Sequence, residues 1–173
     1  AVSFQANLLE DTTDTLIESF IERCGGIDIL INNAGGVFRS MDISALDSTS
    51  WESTFRLNAQ APFFLAQGAF RFMKNNGGGK IINISSISAK YGGSDKTLHY
   101  GASKAALESI NRGLAKAGAS HNILVNTIRA GFIDTPMHKK IGRTNLEKRI
   151  QAIPLKKSGK AEDIARMALF LAS

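Results

Sequence analysis

Tyr100 and Lys104 stand four residues apart in the run Tyr100-Gly101-Ala102-Ser103-Lys104. On a helix that spacing places both side chains on one face. A run ending in Ile84-Ser85-Ser86 precedes them, so a phenol, an ammonium and a hydroxyl could meet one carbonyl oxygen. At an effective dielectric of about 20, a cation roughly 4 Å from a phenolate stabilises it by about 4 kcal/mol. At about 1.36 kcal/mol per pKa unit, this predicts a phenol brought from about 10 to roughly 7. A phenol so tuned gives or takes a proton at neutral pH. The pair alone also fits an ordinary amphipathic helix with a solvated ammonium, so its neighbours decide the reading.

Four further stretches keep it company. Asn32-Asn33-Ala34-Gly35 closes an apolar run, and Asn58 sits in Arg56-Leu57-Asn58-Ala59. Ser85 and Ser86 end a strand-like segment, and Asn126 to Thr135 reads Asn-Thr-Ile-Arg-Ala-Gly-Phe-Ile-Asp-Thr. Each has a plain structural reading when taken singly. Asn-Ala-Gly makes a turn, and a serine at a strand end commonly bonds backbone. A mid-helix asparagine is the odd member, because its amide competes for backbone hydrogen bonds.

The elements that must position these residues alternate in period. Ala1 to Leu8, Ile27 to Asn32, Lys80 to Ser85 and Ile123 to Ile128 are short and rich in Ile, Val or Leu, as strands buried on both faces are. Helical patterns run from Asp11 to Arg23, Ser50 to Asn75, Leu98 to Ser120 and Ala161 to Leu171. Such alternation predicts right-handed βαβ units on a parallel sheet: a single α/β domain over 1–173, a Rossmann-like doubly wound fold in three α/β/α layers. Gly77-Gly78-Gly79 precedes a strand, whereas a phosphate loop follows one and opens a helix, so it reads as a turn.

Composition narrows the function classes. With 173 residues and 43% hydrophobic content the chain can bury one core. No apolar run is long enough to span a bilayer and no signal sequence opens the chain, so a cytoplasmic enzyme without membrane partners is expected. One cysteine, Cys24, and three scattered histidines, His99, His121 and His138, give no metal-ligand spacing. The net charge of +6 concentrates between residues 138 and 160, where eight Lys or Arg residues face only Glu147. We read that stretch as a solvated helical face, and the absence of interleaved aromatics argues against nucleic acid.

In this order and spacing, the motifs resemble the classical short-chain dehydrogenase/reductase family, and the resemblance covers essentially the whole chain. It implies an NAD(P)-dependent oxidoreductase that interconverts a secondary alcohol and a ketone, with NADPH slightly favoured over NADH. Tyr100 would be the proton donor or acceptor. Lys104 would tune the phenol and bind the nicotinamide ribose, Ser86 (or else Ser85) would hydrogen-bond the substrate carbonyl, and Asn58 would anchor a relay water. Asn7, Leu8, Asn33, Ala34, Gly35, Ile133 and Thr135 match positions lining the cofactor cleft. A 3-oxoacyl thioester is one substrate class the family suggests, although the turns before Ser86 and Ile123 are poor in the arginine a carrier-protein surface would favour. A steroid, sugar or xenobiotic ketone stays open.

Two departures stand out. The family's Pro-Gly is Ala130-Gly131 here, which frees one φ angle and restores a backbone donor. The family's N-terminal Thr-Gly-x-x-x-Gly-x-Gly turn and C-terminal strand are also missing, so the sequence is expected to be a fragment, incomplete at both ends. The long helices imply a homodimer or homotetramer. A catalytically silent nucleotide- or partner-binding module is the alternative class, and the joint presence of Asn58, Ser86, Tyr100 and Lys104 argues against it.

Overall fold

Three parallel strands run side by side in chain order: β1 (Ile29–Asn32), β2 (Gly79–Ser86) and β3 (Ile123–Ala130). The structure, a computed structural model, describes residues 1–10 and 13–173. Asn32 aligns with Asn83, and Ser86 with Ala130, so the three strands end close together. Ile81 and Ile82 on the central strand are both fully buried, as expected where helices cover both faces of a parallel strand.

Side-chain alternation along β2 separates the two layers. Ile81 packs with Ile17, Ala66, Ala69, Met73 and Ile123 under helices α1 (Thr13–Cys24) and α3 (Ala61–Asn75). The next residue, Ile82, joins Ile128 and Ala168 beneath α8 (Ala161–Ala172) on the opposite face. Helix α5 (Leu98–Gly118) lies on the first face, against β2 and β3. At the turn before β2, Gly78 has φ +107°, and a Cβ there would come within 2.3 Å of the Asn122 carbonyl oxygen. The glycine run is therefore the tight turn its position predicts.

Two expectations need correction. Ala1 to Leu8 forms no strand; residues 1–7 are irregular, and Leu8 enters a turn closed by Glu10 N donating to Asn7 O at 3.0 Å. A strand needs a ladder partner for its backbone groups, and among the described residues β1 has no neighbour on its outer edge. The first predicted helix begins in the described residues at Thr13, with Asp11 lying outside them.

The helix predicted over Ser50 to Asn75 is longer and is interrupted in the middle. It comprises α2 (Ser48–Phe55), a π turn (Arg56–Gln60) and α3. Asp47 caps it, its carboxylate accepting from Ser50 N at 2.7 Å. The sequence supplies the reason for the break: Pro62 has no N–H to offer the carbonyl of Asn58, four residues back. The helix widens there by a π turn, and Asn58 sits in it.

Candidate active site

At the end of β2, two adjacent serines point apart, as neighbouring strand residues must. Ser85 Oγ donates to Glu108 Oε1 at 2.8 Å. Ser86 faces a cavity of about 980 Å³ and accepts a hydrogen bond from Ser88 N at 3.1 Å. Tyr100, in the first turn of α5 and 8% exposed, lines the same cavity. Lys104 follows one turn later, 4% exposed, with its ammonium donating to the Ile84 carbonyl at 2.8 Å. Strand ends and the start of α5 thus bring Ser86, Tyr100 and Lys104 to one place, while Ser85, which also borders the cavity, has its hydroxyl proton committed to Glu108.

The electrostatics differ from the sequence expectation. Burial raises the Tyr100 phenol above its ordinary pKa, against the lowering effects of the Ser86 hydroxyl and the Arg143 guanidinium. Lys104 is not among the groups that lower it. Its ammonium lies 6.0 Å from the phenol ring centroid and is tied to β2 instead. Burial also pushes Lys104 itself down to about 8, because desolvation disfavours the charged form. The Tyr100 phenol is therefore held protonated at neutral pH, a proton donor rather than a group poised near 7.

Asn58 is fully buried and clasps the Asn33–Gly36 turn. Its amide donates to Gly36 O at 2.9 Å and Thr54 O at 3.0 Å, while Oδ1 accepts from Gly36 N at 2.9 Å. Both amide protons are spent on backbone, so the side chain braces the Asn33–Gly36 segment. A Cβ at Gly35 would come within 2.8 Å of Asn58 Oδ1 and 3.0 Å of Lys104 Nζ. Only glycine lets that turn lie so close to the ammonium.

The other predicted positions divide. Asn33, Gly35, Ile133 and Thr135 line the cavity, whereas Ala34 is exposed and outside its lining. Asn7 and Leu8 also lie outside it; Asn7 Oδ1 accepts from Leu9 N at 3.1 Å in a local turn.

Sequence reasoning missed His138, Arg143 and Arg149, which line the same cavity. They belong to the basic stretch read as a solvated face. Arg143 is half-buried, and His138 is only 4% exposed. The available signal was a histidine and an arginine just beyond Ile133-Asp134-Thr135: His138 lies in the short helix α6 (Met137–Lys140), and Arg143 lies between it and α7 (Leu146–Gln151). Among the described residues no group of His, Cys, Asp and Glu is placed to hold a metal ion, and no helix is long and apolar enough to cross a membrane.

A parallel α/β domain with serine, tyrosine and lysine converging at its strand ends defines a Rossmann-like class of protein. Within that class the chain belongs to the short-chain dehydrogenase/reductase family. The matching family model, described as enoyl-(acyl carrier protein) reductase, covers residues 9–173. The 3-oxoacyl-acyl-carrier-protein reductase of Thermotoga maritima is 34% identical over 163 residues, 94% of this chain. The chain spans 65% of that relative's length. A Sinorhizobium meliloti crystal structure described as a short-chain alcohol dehydrogenase superposes with TM-score 0.90 at 33% identity, over 99% of this chain and 69% of the other. The structure of ElxO with NADP bound gives TM-score 0.87 at 25% identity, covering 98% and 70%.

Proposed function

We propose that this protein is an NAD(P)-dependent oxidoreductase interconverting a secondary alcohol and a ketone, with Ser86, Tyr100 and Lys104 as its catalytic residues. The observation carrying the proposal is their convergence: a protonated, nearly buried phenol beside the Ser86 hydroxyl, with Lys104 held one turn behind. In the reducing direction, Ser86 donates a hydrogen bond to the substrate carbonyl oxygen, where negative charge grows. Tyr100 then gives that oxygen its proton. The hydride chemistry is what a bound nicotinamide supplies.

The residues present suit the ribose end of such a cofactor. Lys104 spends one ammonium proton on Ile84 O and has two left for hydroxyl groups. Asn33, Gly35, Ile133 and Thr135 supply further cavity wall, and Asn58 sets the height of the Asn33–Gly36 turn. The Thermotoga relative makes a 3-oxo carbonyl the first substrate to try.

Parallel fluorescence titrations with NADPH and NADH test the proposal, using protein expressed from its complete natural reading frame. Saturable micromolar binding of either, followed by ketone-dependent loss of the reduced-nicotinamide absorbance, is expected. Absence of binding to both would overturn the reading.

A further inference from the structure

Three cations line the cavity, Lys104, Arg143 and Arg149, and none of them is in an ion pair among the described residues. Among the described residues the ion pairs are Arg71–Glu18 and Arg129–Glu108, and Arg143 belongs to neither. It is half-buried, lines the same cavity as Ser86 and Tyr100, and is near enough to Tyr100 for the two to perturb each other's ionisation. Taking a cation partly out of water without an opposing charge is unfavourable. Here the opposing charge can come from a ligand.

The side chain is also held in place. Its Nη1 donates to His138 Nδ1 at 3.1 Å. An arginine has no acceptor, so that histidine nitrogen carries the lone pair. The proton therefore sits on Nε2, which donates to the Ile133 carbonyl at 2.9 Å. The imidazole stacks on Phe132, with ring centroids 4.4 Å apart and planes 5° from parallel. Burial lowers the pKa of His138, keeping it neutral and able to accept. One guanidinium proton is thus committed to a rigid, buried anchor, and four remain on a planar fork suited to an oxyanion. Arg149, on the same wall, adds positive potential.

Resting on the oxidoreductase reading, we propose that Arg143, positioned by His138, binds a carboxylate carried by the substrate, so that the enzyme acts on oxo acids or the corresponding hydroxy acids. The same fork could also pair with two oxygens of a dinucleotide phosphate. Ile141, two residues before Arg143, packs in one buried cluster with Tyr100, the group that meets the substrate oxygen, and that placement assigns Arg143 to the substrate.

The test uses protein from the complete natural reading frame and 2-oxo, 3-oxo and 4-oxo carboxylic acids, each beside its methyl ester. The best acid should exceed its ester by at least about tenfold in kcat/KM, the scale of a recognised polar group. Arg143→Ala should bring that ratio close to one. Arg143→Lys, which keeps the charge without the fork, should retain part of it. A ratio near one in the unmodified enzyme, or a ratio that survives Arg143→Ala, overturns the proposal. So does a loss appearing as weaker NADPH or NADH binding in direct titration, which would give the guanidinium to a cofactor phosphate. Calorimetric titration with the same acids separates the two claims. Arg143-dependent binding without turnover of any pair would sink the oxidoreductase reading and keep the anion site, and turnover without acid preference would do the reverse.

Discussion

Ser85 and Ser86 are the same residue type at consecutive positions, yet they serve opposite sides of β2. Ser85 is locked to Glu108, which also accepts from Arg129 Nε at 2.8 Å and Nη2 at 2.5 Å. The Glu108 and Arg129 charges there are paired with each other, and the cluster ties β2, β3 and α5 together. On the Ser86 side a buried phenol, a buried ammonium with pKa near 8 and an unpaired guanidinium face an open cavity. One side spends its polar groups on the fold, whereas the other keeps them available for a ligand. A residue's partner, rather than its type, tells structure from chemistry here.

The comparison can be strained most severely at Tyr100. Tyr100→Phe removes only a hydroxyl, so the fold should persist by circular dichroism while turnover falls by about 10²- to 10⁴-fold, the usual weight of a positioned proton donor. On the other side, Glu108→Gln should lower stability by about 2 kcal/mol, as for a charged hydrogen-bonded group. Urea midpoints would register that change, with dinucleotide affinity left within about twofold because the Glu108 carboxylate is spent on Ser85 and Arg129 and does not line the cavity.

Glu108 also sets a pH test. Its carboxyl is held below the ordinary range chiefly by the Arg129 hydrogen bond. The unfolded carboxyl protonates first as pH falls, so the stabilisation is present above the ordinary carboxylate pKa and lost through the lower folded value. Glu108→Gln should flatten that part of the acid limb. Lys104 works in the opposite sense. With a folded pKa near 8 against 10.5 for an ordinary lysine, the unfolded chain holds the extra proton between those values. The Lys104 contribution to stability should therefore rise with pH across that window, a trend that Lys104→Met should abolish in thermal scans at constant ionic strength.

Much of this was readable in the residues. The three strands and the helices follow from periodicity, as in the buried run Ile81-Ile82, although β1 leaves Ile29 and Ile31 exposed; the meeting of Ser86, Tyr100 and Lys104 was legible through the family resemblance their motifs carry. What escaped depended on context. Ala1 to Leu8 has a strand's composition but no ladder partner among the described residues. Pro62 interrupts a long apolar helical pattern, and its effect on Asn58 appears only when the missing N–H is followed back four residues. Proximity also misled at Tyr100: helical spacing brought Lys104 near, but its ammonium donates to the Ile84 carbonyl instead and burial dominates at the phenol. His138 and Arg143 looked like a basic surface because sequence charge carries no information about which side chains turn inward.

The two serines provide the most direct test. Ser85→Ala and Ser86→Ala should be measured side by side for ketone turnover and thermal unfolding in protein from the complete natural reading frame. Ser86→Ala is predicted to cut kcat by about 10²- to 10³-fold, the weight of one donor at a developing oxyanion, with the melting temperature nearly unchanged. Ser85→Ala should cost about 1 kcal/mol of stability and leave turnover within a few-fold. The reverse pattern, or equal losses of activity from both, would contradict the account.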